Sequence, residues 1–180
     1  MSEVLVAAGL STGMFYTASA GESLPSYPTA DLSGTGWKEV GDIAEAGISL
    51  KLPSGDVLRN WALQAKRKIN TQQGQITAPI MDTTKKVFET IFGSSNVTAT
   101  AATSSHGALT AVTLSPDVSA EAASYLFLIK DGDVTVLLGC NNALITDIAD
   151  VNFTGTDAVN WNVTIDGDWT IIIDDGQVTS

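Results

Sequence analysis

Basic residues are scarce and unevenly placed in this sequence of 180 residues. All nine Lys and Arg lie at or before Lys130, whereas residues 131–180 carry nine aspartates and no base, and the net charge is −11. Affinity for nucleic acid comes from clustered Lys and Arg that displace counterions from phosphates. The one basic cluster, residues 66–68, is more typical of a solvated strand face. The charge therefore argues against a protein that binds nucleic acid in the usual way.

Cysteine and histidine are almost absent. Cys140 and His106 are the only examples, which excludes an intrachain disulfide and a Cys/His zinc cluster. No apolar run reaches the ~20 residues that a membrane helix needs, and residues 1–4 lack the basic start of a secretion signal. We expect a protein with no metal, cofactor or membrane partner, made in the cytoplasm with its native amino terminus.

Charged residues of both signs amount to only 16% of the chain, while 44% is hydrophobic. Such a chain has enough apolar material to fold, and its length suits one domain that buries roughly 70% of its unfolded surface. Residues 1–180 are therefore predicted to form a single domain. A surface with so few charges is consistent with contacts to neighbouring subunits, and equally with a neutral extracytoplasmic β-domain.

Short segments with alternating apolar and polar residues dominate the sequence and predict strands. A loop rich in Gly, Pro and Ser is predicted at 19–36, and a second loop at 53–60. Asp131-Gly132 predicts a two-residue hairpin. The predicted strands cover about 13–18, 37–42, 46–52, 60–70, 73–80, 96–101, 107–114, 122–130, 133–140, 143–151, 158–166 and 169–173.

One helix is predicted at about 82–92. Residues 82–84 offer an N-cap, and Gly93 can adopt the positive φ that often ends a helix. Four apolar residues form one stripe that should pack against a sheet: Val87, Phe88, Ile91 and Phe92. Many short strands and one flanking helix indicate a mainly β fold, an antiparallel sandwich or barrel-like pair of sheets.

Several segments, taken in their order along the chain, resemble the major tail proteins, or tail tube proteins, of bacteriophages with long non-contractile tails. The resemblance spans about residues 13–166 and rests on the succession of segments. These are WKEVG at 37–41, EAGIS at 45–49, Asp56 with Trp61, KVFETIFG at 86–93, NVT at 96–98, YLF at 125–127, NALITDIAD at 142–150 and NWNVT at 160–164.

The resemblance implies a β-sandwich tail tube domain whose hexameric rings stack head to tail, with sheets of neighbouring subunits joined into one barrel. The loops at 19–36 and 53–60 and the two terminal arms would serve assembly. The partners would be copies of the same chain, a tail tip initiator, a tape measure protein and a tail terminator. DNA would pass through the lumen without specific binding, and the protein would reside in the virion tail.

The aspartates of the last third are candidates for a negative lumen wall, because repulsion of phosphates keeps DNA from adhering. Asp147 and Asp150 are the lumen-lining candidates, since Asp is unfavourable inside a strand without such a role. They are expected as alternatives, because residues three apart on a strand point to opposite faces unless a bulge intervenes. The remaining aspartates stand mostly beside glycine, and turns are the favoured interpretation for them: Asp131, Asp133, Asp166, Asp168, Asp174 and Asp175.

Enzymatic functions find little support in these residues. His106 lies in a Ser/Ala-rich stretch without the context of a nucleophile, and Asp166 with Asp168 lacks a full calcium-loop pattern. No catalytic or metal-binding residue is therefore predicted. The alternative function is a non-enzymatic Ig-like or adhesin-type β-sandwich that binds a carbohydrate or receptor. A terminator or completion protein that forms rings but no tube is a third option.

Overall fold

The computed structural model describes residues 15–44, 47–52, 55–59, 65–69, 73–114, 121–131, 133–151 and 159–175. This part of the chain is mostly strand. In chain order its elements are β1 (Phe15–Ser19), β2 (Lys38–Gly41), β3 (Ser49–Lys51), β4 (Gly55–Arg59), β5 (Ala65–Ile69), β6 (Gly74–Ile80), α1 (Lys85–Phe92), the short 3-10 helix η1 (Ser94–Asn96), β7 (Val97–Thr100), β8 (Leu109–Val112), β9 (Ala123–Asp131), β10 (Val134–Ile148), β11 (Trp161–Gly167) and β12 (Thr170–Asp174).

Eight of these strands form one antiparallel sheet in the order β2-β1-β9-β10-β11-β6-β3, with β12 paired to β10. One face of this sheet encloses the main core. Phe15 and Phe127 stack there with ring centroids 4.6 Å apart, and both are fully buried. Two further ribbons, β4–β5 and β7–β8, pair only internally among the described residues. The prediction of a mainly β antiparallel fold with one helix is confirmed.

Strand β10 connects the two halves of the sheet. It is 15 residues long. Along its first part, Thr135–Gly139, it pairs with β9 on one side and β12 on the other. After a register shift between Cys140 and Ala143, its second part pairs with β11. Predicting two strands, 133–140 and 143–151, was therefore wrong, because Asn141 and Asn142 bend the strand without ending it.

The ends of the sheet approach each other through residues 42–44. The Met81 N–H donates to the Asp42 carbonyl at 3.1 Å, and the Ala44 N–H donates to the Pro79 carbonyl at 2.9 Å. Ile43 thus forms an isolated bridge with Ile80, next to the end of β6. Because β2 and β6 lie far apart in the sheet order, this contact curls the sheet around its core.

Helix α1 covers the core where β2 and β6 meet. Thr84 is the N-cap, its hydroxyl accepting from the Val87 N–H at 3.4 Å, and Gly93 follows the last turn with φ of +81°. Val87, Ile91 and Phe92 are buried in the core, whereas Phe88 is half-buried at its edge. The rings of Phe88 and Phe92 meet Trp161 of β11 edge-on, with centroids 5.3 and 5.8 Å away.

The loop from residue 20 to 36 covers the opposite face of β1, β9 and β10. On the face covered by this loop lies a second hydrophobic cluster, in which Trp37 is buried and Leu24 is partly buried. The Trp37 indole N–H donates to the Ser23 carbonyl at 3.2 Å, which holds the loop on the sheet. The prediction of a simple exposed loop at 19–36 therefore needs correction, since its apolar residues form a small core.

Other boundaries differ from those predicted from the sequence. Residues 55–59, predicted as part of a loop at 53–60, form β4, which pairs with β5 from Gly55↔Ile69 to Arg59↔Ala65. Of the strand predicted at 60–70, residues 65–69 are confirmed, while 60–64 and 70 lie outside the described residues. The antiparallel pairing of β9 with β10 that the predicted hairpin implied is confirmed. The turn was predicted one residue too early, because Asp131 is the last residue of β9 and pairs with Val134, so its interpretation as a turn residue was wrong.

A matched pair of substitutions tests the packing of α1. Phe92→Ala should lower the free energy of unfolding by about 3–5 kcal/mol, because it empties a buried aromatic site. Phe88→Ala should cost about 1–2 kcal/mol, since part of its ring already meets water. Urea denaturation of the unassembled subunit measures both. Equal losses would contradict the placement of Phe88 at the edge of the core.

The bend of β10 should tolerate no side chain at Gly167. A Cβ there would lie 2.6 Å from the Cys140 Sγ and 2.7 Å from the Ala143 Cβ. Gly167→Ala should therefore cost about 1–3 kcal/mol in urea denaturation through overpacking. Gly107→Ala is the matched control, because a Cβ at Gly107 meets nothing within 4 Å. A Gly167 variant as stable as this control would show that the bend is not tightly packed.

Candidate functional site

One face of the sheet, away from the main core, is lined by polar side chains over four adjacent strands. The strands are β3, β6, β11 and the second part of β10, from Ala143 to Ile148. We call this surface the polar face. Its members are hydroxyl, amide and charged residues with one apolar residue: Ser49, Lys51, Gln75, Thr77, Leu144, Thr146, Asp147, Asn162, Thr164 and Asp166.

Alternation along each strand explains this face. In β11, Val163 and Ile165 are fully buried in the core, while Thr164 between them points the other way. In β6, Ile76 and Ala78 are fully buried, and Thr77 is exposed. Apart from Leu144 in β10 and Pro79 in β6, each strand thus places its apolar residues in the core and its polar residues on one common outer surface.

Cross-strand hydrogen bonds tie the polar face together. The Gln75 amide donates to an Asp166 carboxylate oxygen at 2.8 Å. Thr77 and Thr164 face each other with hydroxyl oxygens 3.5 Å apart. Such pairs across neighbouring strands add to sheet stability. The face is therefore a fixed arrangement of polar groups instead of a set of independent surface side chains.

The polar face is bounded by two sheet edges without a partner among the described residues. At one side β3 pairs only with β6. At the other side residues 144–148 of β10 pair only with β11, because the pairing with β9 stops at Ala143. An unpaired edge presents backbone N–H and C=O groups that readily pair with another chain.

Asp147 and Asp150, the candidates from the sequence, occupy different positions. Asp147 is exposed in β10, opposite Thr164 and next to a register shift between Ile145 and Asp147. This bulge lets Asp147 share the polar face. Asp150 is also exposed but lies two residues beyond the end of β10, at Ile148, so its expected position inside a strand was wrong.

Asp166 is the residue of the polar face that sequence reasoning missed. It was interpreted as a turn residue because it stands beside Gly167, yet the structure places it within β11, opposite Gln75. The alternation of Asn162, Thr164 and Asp166 with Val163 and Ile165 was the signal for it. Asp168 does lie in the connection between β11 and β12, as a turn residue would.

A further open edge belongs to β12, which pairs only with β10 in the described part of the chain. Its apolar side chains Ile171 and Ile173 are 48% and 64% exposed. Exposed apolar residues on an unpaired strand mark a surface that other chains can cover.

Within the described ranges, no helix is long and apolar enough to cross a membrane. In the same residues, no group of three or more His, Cys, Asp or Glu side chains could hold a metal ion.

The comparison with protein families shows what class of protein carries this surface. Residues 1–167 match the family described as phage tail tube protein. The chain belongs to the phage tail tube protein family. A search of curated proteins found no match. The match covers all four strands of the polar face, α1 and the β4–β5 ribbon, and it ends at Gly167, before β12.

Membership of the tail tube family makes this chain a structural component of a bacteriophage tail. The family is non-enzymatic, consistent with the prediction that the chain is not an enzyme. The tail tube role is thereby favoured over the Ig-like or adhesin-type binding module, which shares the β-sandwich architecture but not this family.

Proposed function

We propose that this tail tube protein polymerises as hexameric rings that stack into a tube, with the polar face lining the bore through which DNA leaves the capsid. The observation that carries this proposal is the polar face itself, four strands wide and bounded on both sides by open edges. A tube needs one surface turned to its water-filled bore and two edges turned to neighbours. The polar face provides the surface, and the open edges of β3 and β10 provide the two contacts with neighbours.

Strand direction supports a ring closed through these two edges. Successive strands of the polar face are antiparallel, so β3 and β10 at its two sides run in opposite directions. When identical subunits stand side by side in the same orientation, β3 of one meets β10 of the next as an antiparallel pair. An odd number of strands would force a parallel junction. The even number lets the ladder of hydrogen bonds continue around the ring.

The charges of the polar face suit the passage of DNA. Its ionised side chains are two carboxylates, Asp147 and Asp166, and one ammonium, Lys51, so the face carries a net charge of −1 per subunit. Each Lys or Arg in contact with phosphate adds salt-dependent affinity. A bore lined mainly by hydroxyl and amide groups, with a small negative excess, holds water and gives DNA little to bind.

The remaining assembly contacts are assigned to segments outside the polar face. We propose that the 19–36 loop, the segment around 53–60 and both terminal arms contact neighbouring rings and other tail proteins. Those other proteins are the tip initiator that starts the tube, the tape measure within it and the terminator that ends it. The exposed apolar edge of β12 supports such a role for the carboxy-terminal arm. Synthesis takes place in the host cytoplasm before assembly into the virion.

Cross-linking tests the junction between β3 and β10. Cysteines at Ser49 and Thr146, on the two outer strands of the polar face, should be joined between neighbours by a short bismaleimide in assembled tubes. Denaturing gels should then show a ladder that ends at the hexamer. The native Cys140 is buried and does not interfere.

The matched control pairs Ser49→Cys with Thr110→Cys, which is equally exposed but lies on β8 in the separate β7–β8 ribbon. This pair should give no ladder. Ladders of equal intensity from both pairs, or none from the first pair in tubes of normal appearance, would exclude the β3–β10 junction.

A charge reversal at Asp147 tests whether this residue lines the bore. Asp147→Lys should leave tube assembly nearly intact but slow DNA ejection, because attraction to phosphate is repeated at every ring. The variant is supplied to a phage that lacks this gene, and particle morphology, titre and ejection rate are measured separately. Asp133→Lys, an exposed residue outside the polar face, is the control. Normal ejection by well-formed Asp147→Lys particles would mean that Asp147 does not line the bore.

A further inference from the structure

The bend of β10 is a bulge that faces a single residue of β9. Between two regular pairs of these strands, β9 has only Ser124, whereas β10 has Asn141 and Asn142. The flanking pairs are Tyr125↔Cys140 and Ala123↔Ala143. A bulge of this kind leaves the extra residue without its regular strand partner and bends the strand that carries it. Its backbone groups therefore need partners from outside the ladder of hydrogen bonds between the two strands.

The Ser124 side chain is fully buried and supplies one of these partners. Its hydroxyl oxygen lies 2.8 Å from the Asn141 carbonyl oxygen and 2.9 Å from the Ser19 carbonyl oxygen at the end of β1. One hydroxyl hydrogen serves both carbonyls, while the hydroxyl oxygen accepts from the Glu22 N–H at 3.1 Å. The hydroxyl thus joins the end of β1, the start of the 20–36 loop and the bulge of β10.

The start of the 20–36 loop supplies the second partner. The Gly21 N–H donates to the Asn141 carbonyl at 2.6 Å. Residues 19–22 form a tight turn in which the Glu22 N–H also donates to the Ser19 carbonyl at 3.1 Å, and Gly21 has φ of +87°. A turn with positive φ at its third residue favours glycine there. The conformation of Gly21 therefore places the hydrogen bond that the bulge receives from the loop.

Side chains of the loop add packing to these hydrogen bonds. Leu24 lies against the backbone of Gly139, two residues before Asn141, because a Cβ at Gly139 would be 2.6 Å from the Leu24 Cδ2. The Ser23 carbonyl between these contacts accepts from the Trp37 indole N–H at 3.2 Å. The loop thus contacts β10 both at the bulge and just before it.

We propose that the start of the 20–36 loop, centred on the Ser124 hydroxyl, holds the bend of β10 and thereby positions the edge through which one subunit pairs with the next. We call residues 19–24 together with Ser124 the loop anchor. The inference rests on the proposed lateral contact through residues 144–148 of β10. Those residues follow the bulge directly, so the angle of the bulge sets the direction of their edge. Ser124 is a positioning residue, since it is fully buried and acts through the backbone of Asn141.

The loop anchor makes lateral pairing depend on the state of the loop. An edge that is held in place before contact loses less conformational freedom on pairing, and therefore pairs more tightly. The loop is also assigned contacts outside its own subunit. A contact that presses the loop onto β10 therefore strengthens lateral pairing, and one that lifts the loop weakens it. The anchor is in this way a means by which a contact elsewhere on the subunit controls ring formation.

The native Cys140 reports on the bend without any engineered probe, because it is the only cysteine of the chain, is buried and precedes the bulge directly. Gly21→Ala should raise the rate at which a maleimide labels Cys140 in the unassembled subunit by about tenfold, because a non-glycine residue disfavours the positive φ of the turn. Gly34→Ala is the matched control. Gly34 has φ of +79° in the same loop, and a Cβ at either glycine meets nothing within 4 Å. This control should label at nearly the parental rate.

A second pair of variants tests the hydroxyl itself. Ser124→Ala removes the centre of the anchor. Thr17→Val removes another buried hydroxyl, which donates to the Ser124 carbonyl at 3.3 Å and does not reach the bulge. Both should lose similar stability in urea denaturation, but without denaturant only Ser124→Ala should raise Cys140 labelling by about tenfold. Hydrogen exchange of the amides of residues 144–148, measured by mass spectrometry, should rise in the same variant. A merely structural role of Ser124 would affect both variants alike.

Assembly of the same four variants tests the lateral role. Gly21→Ala and Ser124→Ala should lower the fraction of protein in rings and tubes by about tenfold relative to their controls, because their edge is no longer held in place. Sedimentation and negative-stain microscopy measure this fraction. Parental labelling and exchange in both anchor variants, or increases equal to those of the controls, would overturn the inference. Faster labelling combined with parental assembly would overturn it too, since the edge would then not depend on the bend.

Failure of the proposed tube is distinguishable from failure of the anchor. Labelling and hydrogen exchange need only the folded subunit, so they decide whether the loop holds the bend. If the parent protein forms neither rings nor tubes under any condition that supports the virion, the proposed function fails and the lateral role of the anchor fails with it.

Discussion

The whole architecture depends on the bend of β10. One strand of 15 residues pairs with β9 and β12 before the bend and with β11 after it, so a single segment belongs to both halves of the sheet. The bend is possible because Gly167 brings no Cβ against Cys140 and Ala143. It ends the pairing with β9 at Ala143 and thereby leaves residues 144–148 with an open edge. The proposed lateral contact of the tube is thus a direct consequence of how the strand bends.

Open edges are a hazard for a soluble protein and a requirement for a polymer. Here the exposed edges bound a face with nine polar or charged positions besides Leu144, and the face carries only three ionised side chains. In the proposed ring, closing the edges between subunits would satisfy backbone groups that otherwise bond to water, and it would leave polar side chains directed to the bore. In the proposed tube, the same arrangement accounts both for lateral assembly and for a wall to which DNA does not adhere.

The features predicted correctly from the sequence are those that alternation of apolar and polar residues, or a helix cap, specifies locally. Most strands along the chain, the hairpin between β9 and β10, and the helix with its cap at Thr84 and its end before Gly93 were accessible, because each depends on a few neighbouring residues. The continuous strand through Asn141 and Asn142 was not, since two adjacent polar residues look like a turn in the sequence. The strand stays continuous because the residues on either side of them pair with β9, β11 and β12. The position of Asp166 was missed for a similar reason, as Gly167 suggested a turn where close packing requires a glycine inside the sheet.

A helical reconstruction of the assembled tube by electron cryo-microscopy tests the central claim most directly. The account predicts that the polar face, with Thr77, Thr164 and Asp166, surrounds the bore, that α1 lies away from the bore, and that β3 of each subunit pairs with β10 of its neighbour. A tube in which the polar face points outward, or in which the β3 and β10 edges remain unpaired, would contradict it.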